Sequence, residues 1–239
     1  MRGTLVTTAA LTLSRREHRE ADRISVLYTE AFGKIPVRFT GVNRPRGKLK
    51  ALSEPMVWGE YRLFVRPGAE LGIATGGKLI TVFPDIRTGL ASTLRGLEIC
   101  ELLERLTPPW SPNPGKYALA TRCLSVLDRP GGAITDAAAE WVTYAFALRL
   151  FEIAGFGMRG RRVSERNRRL WELLHAGDLE EVAGLPEDRE RLGRLEVVVR
   201  RAVERLTDQP LRSALVFEPG RSGFINDHRR SAAPSGEAR

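Results

Sequence analysis

The chain is poor in the residues that build metal centres and covalent frameworks. Of 239 residues only two are cysteine and three histidine. Cys100 and Cys123 have no second cysteine or histidine near them. This excludes a disulfide scaffold and a cysteine-rich zinc site, and leaves two buried, inert thiols. His18, His175 and His228 are scattered, so no metal cluster or Ser/His/Asp constellation assembles, and no cofactor is expected. Long apolar runs are also missing. The longest candidate, residues 141–156, is broken by Arg149 and Glu152 and falls short of a membrane span. The amino-terminal stretch Leu5-Val6-Thr7-Thr8-Ala9-Ala10-Leu11 is short, interrupted by threonines and followed at once by Ser14-Arg15-Arg16-Glu17. It reads as a strand of a cytoplasmic protein, not as a signal peptide. Paired carboxylates such as Glu101 with Glu104, or Glu180 with Glu181, fall on polar helix faces beside arginines. Gly76-Gly77-Lys78 lacks the earlier glycine and the following Ser/Thr of a phosphate loop. Nothing points to an enzyme.

What the chain does have is positive charge: 38 Lys+Arg against 29 Asp+Glu, a net +9 with a pI near 10.2. Apolar residues at 42% and charged residues at 28% fit a globular protein, and an excess of cations points first to a polyanion such as nucleic acid. The excess is uneven. Residues 1–82 hold 14 cations against 7 acids, whereas residues 83–239 hold 24 against 22. Residues 34–50 contain Lys34, Arg38, Arg44, Arg46, Lys48 and Lys50 and no acid. The run Arg44-Pro45-Arg46-Gly47-Lys48 reads as a flexible basic hairpin loop or linker able to follow a phosphate backbone. The bland alternative is a solvated loop.

Hydrophobic periodicity divides the chain. Residues 4–13, 22–29, 35–42, 56–65 and 71–82 read as short strands with turn signals between them, as a small closed barrel requires. From Pro84 the period becomes helical: one helix around Ile86 to Leu106, a second over 116–127, and a long apolar one reaching Ala154 with Thr135 and Asp136 offering N-caps. Amphipathic helices follow over 164–175 and 187–206. The fold class is therefore α+β. A five-stranded OB-like barrel over 1–82 leads into an all-helical domain over 83–219 and a Gly/Ser/Arg-rich flexible tail over 220–239. The barrel aromatics Tyr28, Phe32, Phe39, Trp58 and Tyr61 fall mostly on alternation positions of a core, so cations and not aromatics are the expected DNA contacts. Arg15 and Arg16, at the end of the first strand, could join the cationic face. Around Arg19 and Arg23 the neighbours Glu17, Glu20 and Asp22 suggest an ion-paired loop. A second basic cluster contains Arg159, Arg161, Arg162, Arg166, Arg168 and Arg169, with only Glu165 against it. It would hold DNA or an acidic protein tail, or be a solvated helix end.

In order, these features resemble the RecO family of bacterial DNA repair proteins. The resemblance is carried by Leu13-Ser14-Arg15-Arg16, by Glu20-Ala21-Asp22-Arg23-Ile24, by Leu27-Tyr28-Thr29 with Gly33-Lys34, and by Gly41-Val42-Asn43-Arg44-Pro45-Arg46. Further along it is carried by Leu148-Arg149-Leu150 with Gly155-Phe156, and by Leu211-Arg212-Ser213. It implies an OB-fold followed by a helical domain, and a non-enzymatic recombination mediator that acts in the bacterial cytoplasm at the nucleoid. Such a protein binds single- and double-stranded DNA, anneals strands, and loads RecA-type recombinase on DNA coated by single-strand-binding protein. The partners it implies are a RecR-like ring and the acidic C-terminal tail of single-strand-binding protein. Two departures stand out. Many family members carry four zinc-holding cysteines just after the Gly155-Phe156 position, where this chain reads Met158-Arg159-Gly160-Arg161-Arg162-Val163-Ser164-Glu165, so the metal is expected to be lost. Gly47 replaces a frequent serine in the basic loop. Two other functions fit the same residues: an OB-based RNA or single-strand module of RNA metabolism, and a protein scaffold whose charge is incidental.

Overall fold

In the computed structural model the residues described are 3–45, 47–129, 134–158, 163–207 and 211. Five strands, β1 (Thr4–His18), β2 (Asp22–Thr29), β3 (Gly33–Phe39), β4 (Val57–Val65) and β5 (Gly72–Thr81), close into a barrel in the order β1-β2-β3-β5-β4. Every neighbouring pair is antiparallel except β3 with β5. This is the order of a five-stranded OB barrel. β1 extends five residues past its expected end because a bulge between Thr12 and Ser14 bends it. Its first half then pairs with β4 and its second half with β2. The charged run after Ser14 hides this continuation from a hydrophobic pattern.

Alternation sends Ala10, Leu27, Ile35, Val37, Phe39, Val57, Tyr61, Leu63 and Ala74 into the barrel. The hydroxyls of Thr12 and Tyr61 lie 2.8 Å apart and both reach the Leu52 carbonyl, so these buried polar groups are satisfied. Leu52 belongs to a short 3-10 turn, Ala51–Ser53, that plugs this end of the barrel.

The helices are α1 (Leu90–Arg105), α2 (Pro114–Leu127), α3 (Asp136–Ile153), α4 (Glu165–Ala176), α5 (Leu179–Ala183) and α6 (Arg189–Thr207). Thr135 caps α3 by accepting from the Ala138 N–H, as its sequence position predicts, and Asn113 caps α2 through Lys116 N–H. α3 is buried on nearly every side, which explains why it is apolar all round. α5 has five residues, too few to show a period. The expected tail over 220–239 lies outside the described residues.

The barrel interior is one apolar cluster, and a second crosses the point near Val82 where the chain changes character. Leu11, Leu13, Tyr28 and Met56 of the barrel join one apolar cluster with Ile99, Leu102 and Leu103 of α1 and most of α3. Two lysines close the seam. Lys34 of β3 donates to the Glu104 carbonyl at 2.5 Å and Lys116 of α2 to that of Leu106 at 3.1 Å. Both ammoniums meet unpaired carbonyls at the negative end of α1. Burial pushes both lysines below their ordinary range. Trp58 donates its indole N–H to Tyr117 across the same seam at 2.8 Å.

Because Leu11 lies in the cluster that barrel and helices share, Leu11→Ala is expected to destabilise both together. The loss should be about 2–5 kcal/mol, the usual range for a buried leucine. Chemical denaturation followed by tryptophan fluorescence and by far-ultraviolet circular dichroism should give one coincident transition; two separated transitions would contradict a shared core.

Candidate nucleic-acid interface

β3 and β4 are not neighbours, so the segment joining them must cross an end of the barrel. It carries the basic run. Instead of the flexible hairpin expected from composition, the described residues 41–45 and 47–50 make successive tight turns: Arg44 N–H donates to Gly41 O, Gly47 N–H to Arg44 O and Lys50 N–H to Gly47 O. Gly41 adopts the left-handed conformation (φ 68°) that starts the series. At Gly47 an added Cβ would lie 2.5 Å from the Val42 carbonyl oxygen, so glycine fits this turn and the family's serine would not without a shift. Val42 and Leu52 are buried in the barrel core and Leu49 packs against it. The segment is thus pegged by apolar side chains while Arg44, Lys48 and Lys50 face solvent. None of these three has an ion-pair partner among the described residues. Arg46 lies outside the described residues.

Beneath the loop sits a polar knot. Arg23 is 3% exposed and donates to Ser53 Oγ (2.8 Å), Glu54 Oε1 (2.7 Å), Glu17 Oε1 (3.3 Å) and Asn43 Oδ1 (3.4 Å). Glu17 accepts from Asn43 Nδ2 at 2.6 Å, and this bond, with Arg23 and Arg15 nearby, holds its carboxyl below the usual range. Asp22 accepts from the Gly41 N–H (2.9 Å) and from Arg38 Nε and Nη2 (2.9 and 2.5 Å), and is likewise held low, chiefly by the Gly41 bond. The turn between β1 and β2 lies at the same end, tied in by Asn43 N–H donating to Ala21 O.

The expected site residues therefore divide. Arg44, Lys48 and Lys50 stand together and exposed, and Arg16 is exposed on β1. Arg15 is engaged by Glu17 and Glu54, Arg38 by Asp22, and Lys34 by the α1 carbonyl in the seam. Arg19, read as part of an ion-paired loop, is exposed at φ 58° and has no salt bridge among the described residues, a position the mixed charges around it concealed. Phe39 and Tyr61 pack edge to face inside the barrel, while Tyr28 and Trp58 pack toward the helices, as alternation indicated. In the second cluster Arg166 and Arg169 are exposed on α4 and Arg168 pairs with Glu165 at 2.9 Å; Arg159, Arg161 and Arg162 lie outside the described residues. An apolar groove of about 180 Å³ runs between α4 and α6, lined by Leu170, Trp171, Leu195 and Val198 with Arg191 and Arg194 at its rim. The thiols of Cys100 and Cys123 are fully buried, which pushes each up to about 12. Among the described residues no group of three or more His, Cys, Asp or Glu could hold a metal, and no helix is long and apolar enough to cross a membrane.

Residues 1–83, which span the whole barrel, match the family model described as Recombination protein O N terminal. The match runs the whole length of the barrel. Similarity to DNA repair proteins RecO extends past it. The chain is 30% identical over 118 residues to that of Listeria monocytogenes serotype 4a, covering 49% of this chain and 46% of the relative. It is 27% identical over 156 residues to that of Clostridium perfringens (65% and 60%), and 32% identical over 127 residues to that of Geobacter sulfurreducens (53% and 51%). The chain thus spans about half the length of the curated relatives it matches. The RecO resemblance read from the sequence stands, and so does the order of OB barrel first and helices after it.

The polar knot of this barrel should show in the pH dependence of its stability. Asp22 and Glu17 are held low in the fold, so the stability they contribute is present above the ordinary carboxyl values of about 4 and is lost as pH falls through the lower folded values. Urea unfolding at pH 6 and pH 3 should show a smaller acid loss for Asp22→Asn than for the parent; an equal loss would remove Asp22 from the account.

Proposed function

We propose that the chain is a recombination mediator of DNA repair that grips nucleic acid at the loop end of its barrel. The observation that carries the reading is the set of outward-facing cations, Arg44, Lys48 and Lys50, without an ion-pair partner among the described residues, on a segment pegged into the barrel. Arg46 is grouped with them by sequence, and Arg16 and Arg19 extend the set along β1 and its turn. Point charges of this kind hold phosphates and carry no base information, so binding is sequence-tolerant and salt-dependent, to single and double strands alike. A surface that neutralises phosphates on two strands at once lowers their mutual repulsion, and that supports annealing. Arg15, Arg38 and Lys34 act in this reading through the structure they hold and not through phosphate contact. The barrel over 1–82 is the nucleic-acid unit, and the helices over 83–219 hold partners. The groove between α4 and α6, apolar with arginines at its rim, suits the acidic, apolar-ended tail of single-strand-binding protein. With a RecR-like partner the complex would load recombinase on coated DNA. No step needs catalysis by this chain. The RecO names of its relatives support the reading.

The test is fluorescence anisotropy with short single-stranded DNA over a salt series. Changing Arg44, Arg46, Lys48 and Lys50 together to Glu should weaken binding strongly and flatten the log–log salt slope by about 3, from about 0.7 per lost single-strand phosphate contact. The fold should be kept, since the described members of the set are exposed. Unchanged affinity in a folded variant would move the site elsewhere. RNA of equal length bound more tightly than DNA would favour a role in RNA metabolism.

A further inference from the structure

The barrel has two ends, and they differ. The end beneath the basic loop is plugged by Leu52 and the polar knot. The other is an open cup of about 690 Å³ formed by the inward-facing Thr4, Val6 and Val65, the ring of Phe32 from the β2–β3 turn, the β4–β5 loop over 66–70, and Trp110 from the helical part of the chain. Phe32 and Trp110 meet edge to face at 6.2 Å and 72°, and both rings are only half-buried. Trp110 is held there deliberately by its surroundings. Its backbone lies in the left-handed region (φ 55°), unfavourable for a bulky residue, and is pinned by its N–H on the Lys34 carbonyl at 2.9 Å. Gly33, also left-handed (φ 67°), permits this: a Cβ there would lie 2.2 Å from the Ser111 carbonyl oxygen. The rim carries Arg66, whose guanidinium lies 5.4 Å from the Phe64 ring, and one acid, Glu70.

We infer that this mouth receives an unpaired nucleobase of a single strand, stacked against Trp110 and Phe32, with the adjoining phosphate met by Arg66. Two partly exposed aromatic rings offer a π-face that any base can use, and a cation at the rim complements the phosphate that every base carries with it. The β4–β5 loop is one of the loops that OB barrels use to hold oligonucleotides. A paired base keeps its faces stacked on its neighbours, so the cup selects single strands where the basic loop does not. β3 spans about 20 Å between the two ends at about 3.3 Å per residue, the length of about 6 stacked nucleotides at about 3.4 Å each, within the 4–16 that one OB fold covers.

This inference rests on the reading of the barrel as a nucleic-acid binder, and the experiment separates the two. Single-stranded DNA bearing 5-iododeoxyuridine is photocross-linked to the full chain and the adduct mapped, alongside affinities of the parent and of Trp110→Leu for single strand and duplex. The expected result is an adduct at Trp110 or Phe32. Trp110→Leu should weaken single-strand binding about 5- to 150-fold, the range for one lost base stack, with duplex affinity unchanged. An adduct confined to the loop end, or a Trp110→Leu variant that binds single strand as the parent does, overturns the inference and leaves the loop reading intact. A parent chain that binds neither form of DNA takes both down.

Discussion

The buried guanidinium of Arg23 is the interaction on which the loop end of the barrel depends. It lies where β1, β2, the β3–β4 crossing and the 3-10 turn converge, and it donates to a group on each of the other three: Glu17, Asn43, and Ser53 with Glu54. A buried cation is tolerable only when its donors are matched, and losing one partner of such a set is costly because the remaining charge has nowhere to go. The knot therefore holds the crossing segment in one arrangement, and that segment carries the exposed cations. Asp22 adds a second tie of the same kind, gripping the Gly41 N–H at the start of the turns and Arg38 on the adjacent strand.

Charge in this barrel does two separate jobs. One set of cations is consumed by the fold: Arg23 and Arg15 in the knot, Arg38 on Asp22, Lys34 on the last turn of α1. Another set, Arg44, Lys48 and Lys50, has no anionic partner among the described residues and is kept apart from acids by the pegging of Val42, Leu49 and Leu52. A net charge cannot separate the two. The same excess would arise if every cation were inward and engaged, and only the arrangement of partners tells a gripping surface from a scaffold.

That distinction marks how far the sequence could be read. Strand alternation was legible wherever one face is buried and the other wet, as in Ile35-Pro36-Val37-Arg38-Phe39, and it correctly turned Phe39 and Tyr61 inward. α3 was legible because its apolar run is long and Thr135 caps it. The end of β1 was not, because a bulge followed by Arg15, Arg16 and Glu17 abolishes the two-residue period while the backbone ladder continues. The loop was legible in charge and not in shape: a row of glycines, proline and cations reads as slack, and its order comes from Val42 and Leu52 packing against strands distant in sequence. Lys34 was misleading for a similar reason. It sits in a basic run, yet its ammonium meets a helix end seventy residues later, and no local pattern encodes a contact of that span. Trp110 carried no signal at all, since it lies in a proline-rich loop and acquires its place from Gly33 and Lys34.

The seam ties these observations together. Lys34 connects to both ends of the barrel's work: its ammonium fixes α1, and its carbonyl pins Trp110 at the open mouth. With Lys116 on the Leu106 carbonyl and Trp58 bonded to Tyr117, barrel and helices are held in one orientation by polar contacts laid over the apolar cluster they share. A hydrogen bond to a charged donor contributes about 1.5–3 kcal/mol, and those from Lys34 and Lys116 lie on the seam between barrel and helices. If the barrel grips a strand and the α4–α6 groove grips a partner's tail, this rigidity sets the distance between them, so that the partner is brought to the strand in one geometry and not merely tethered near it.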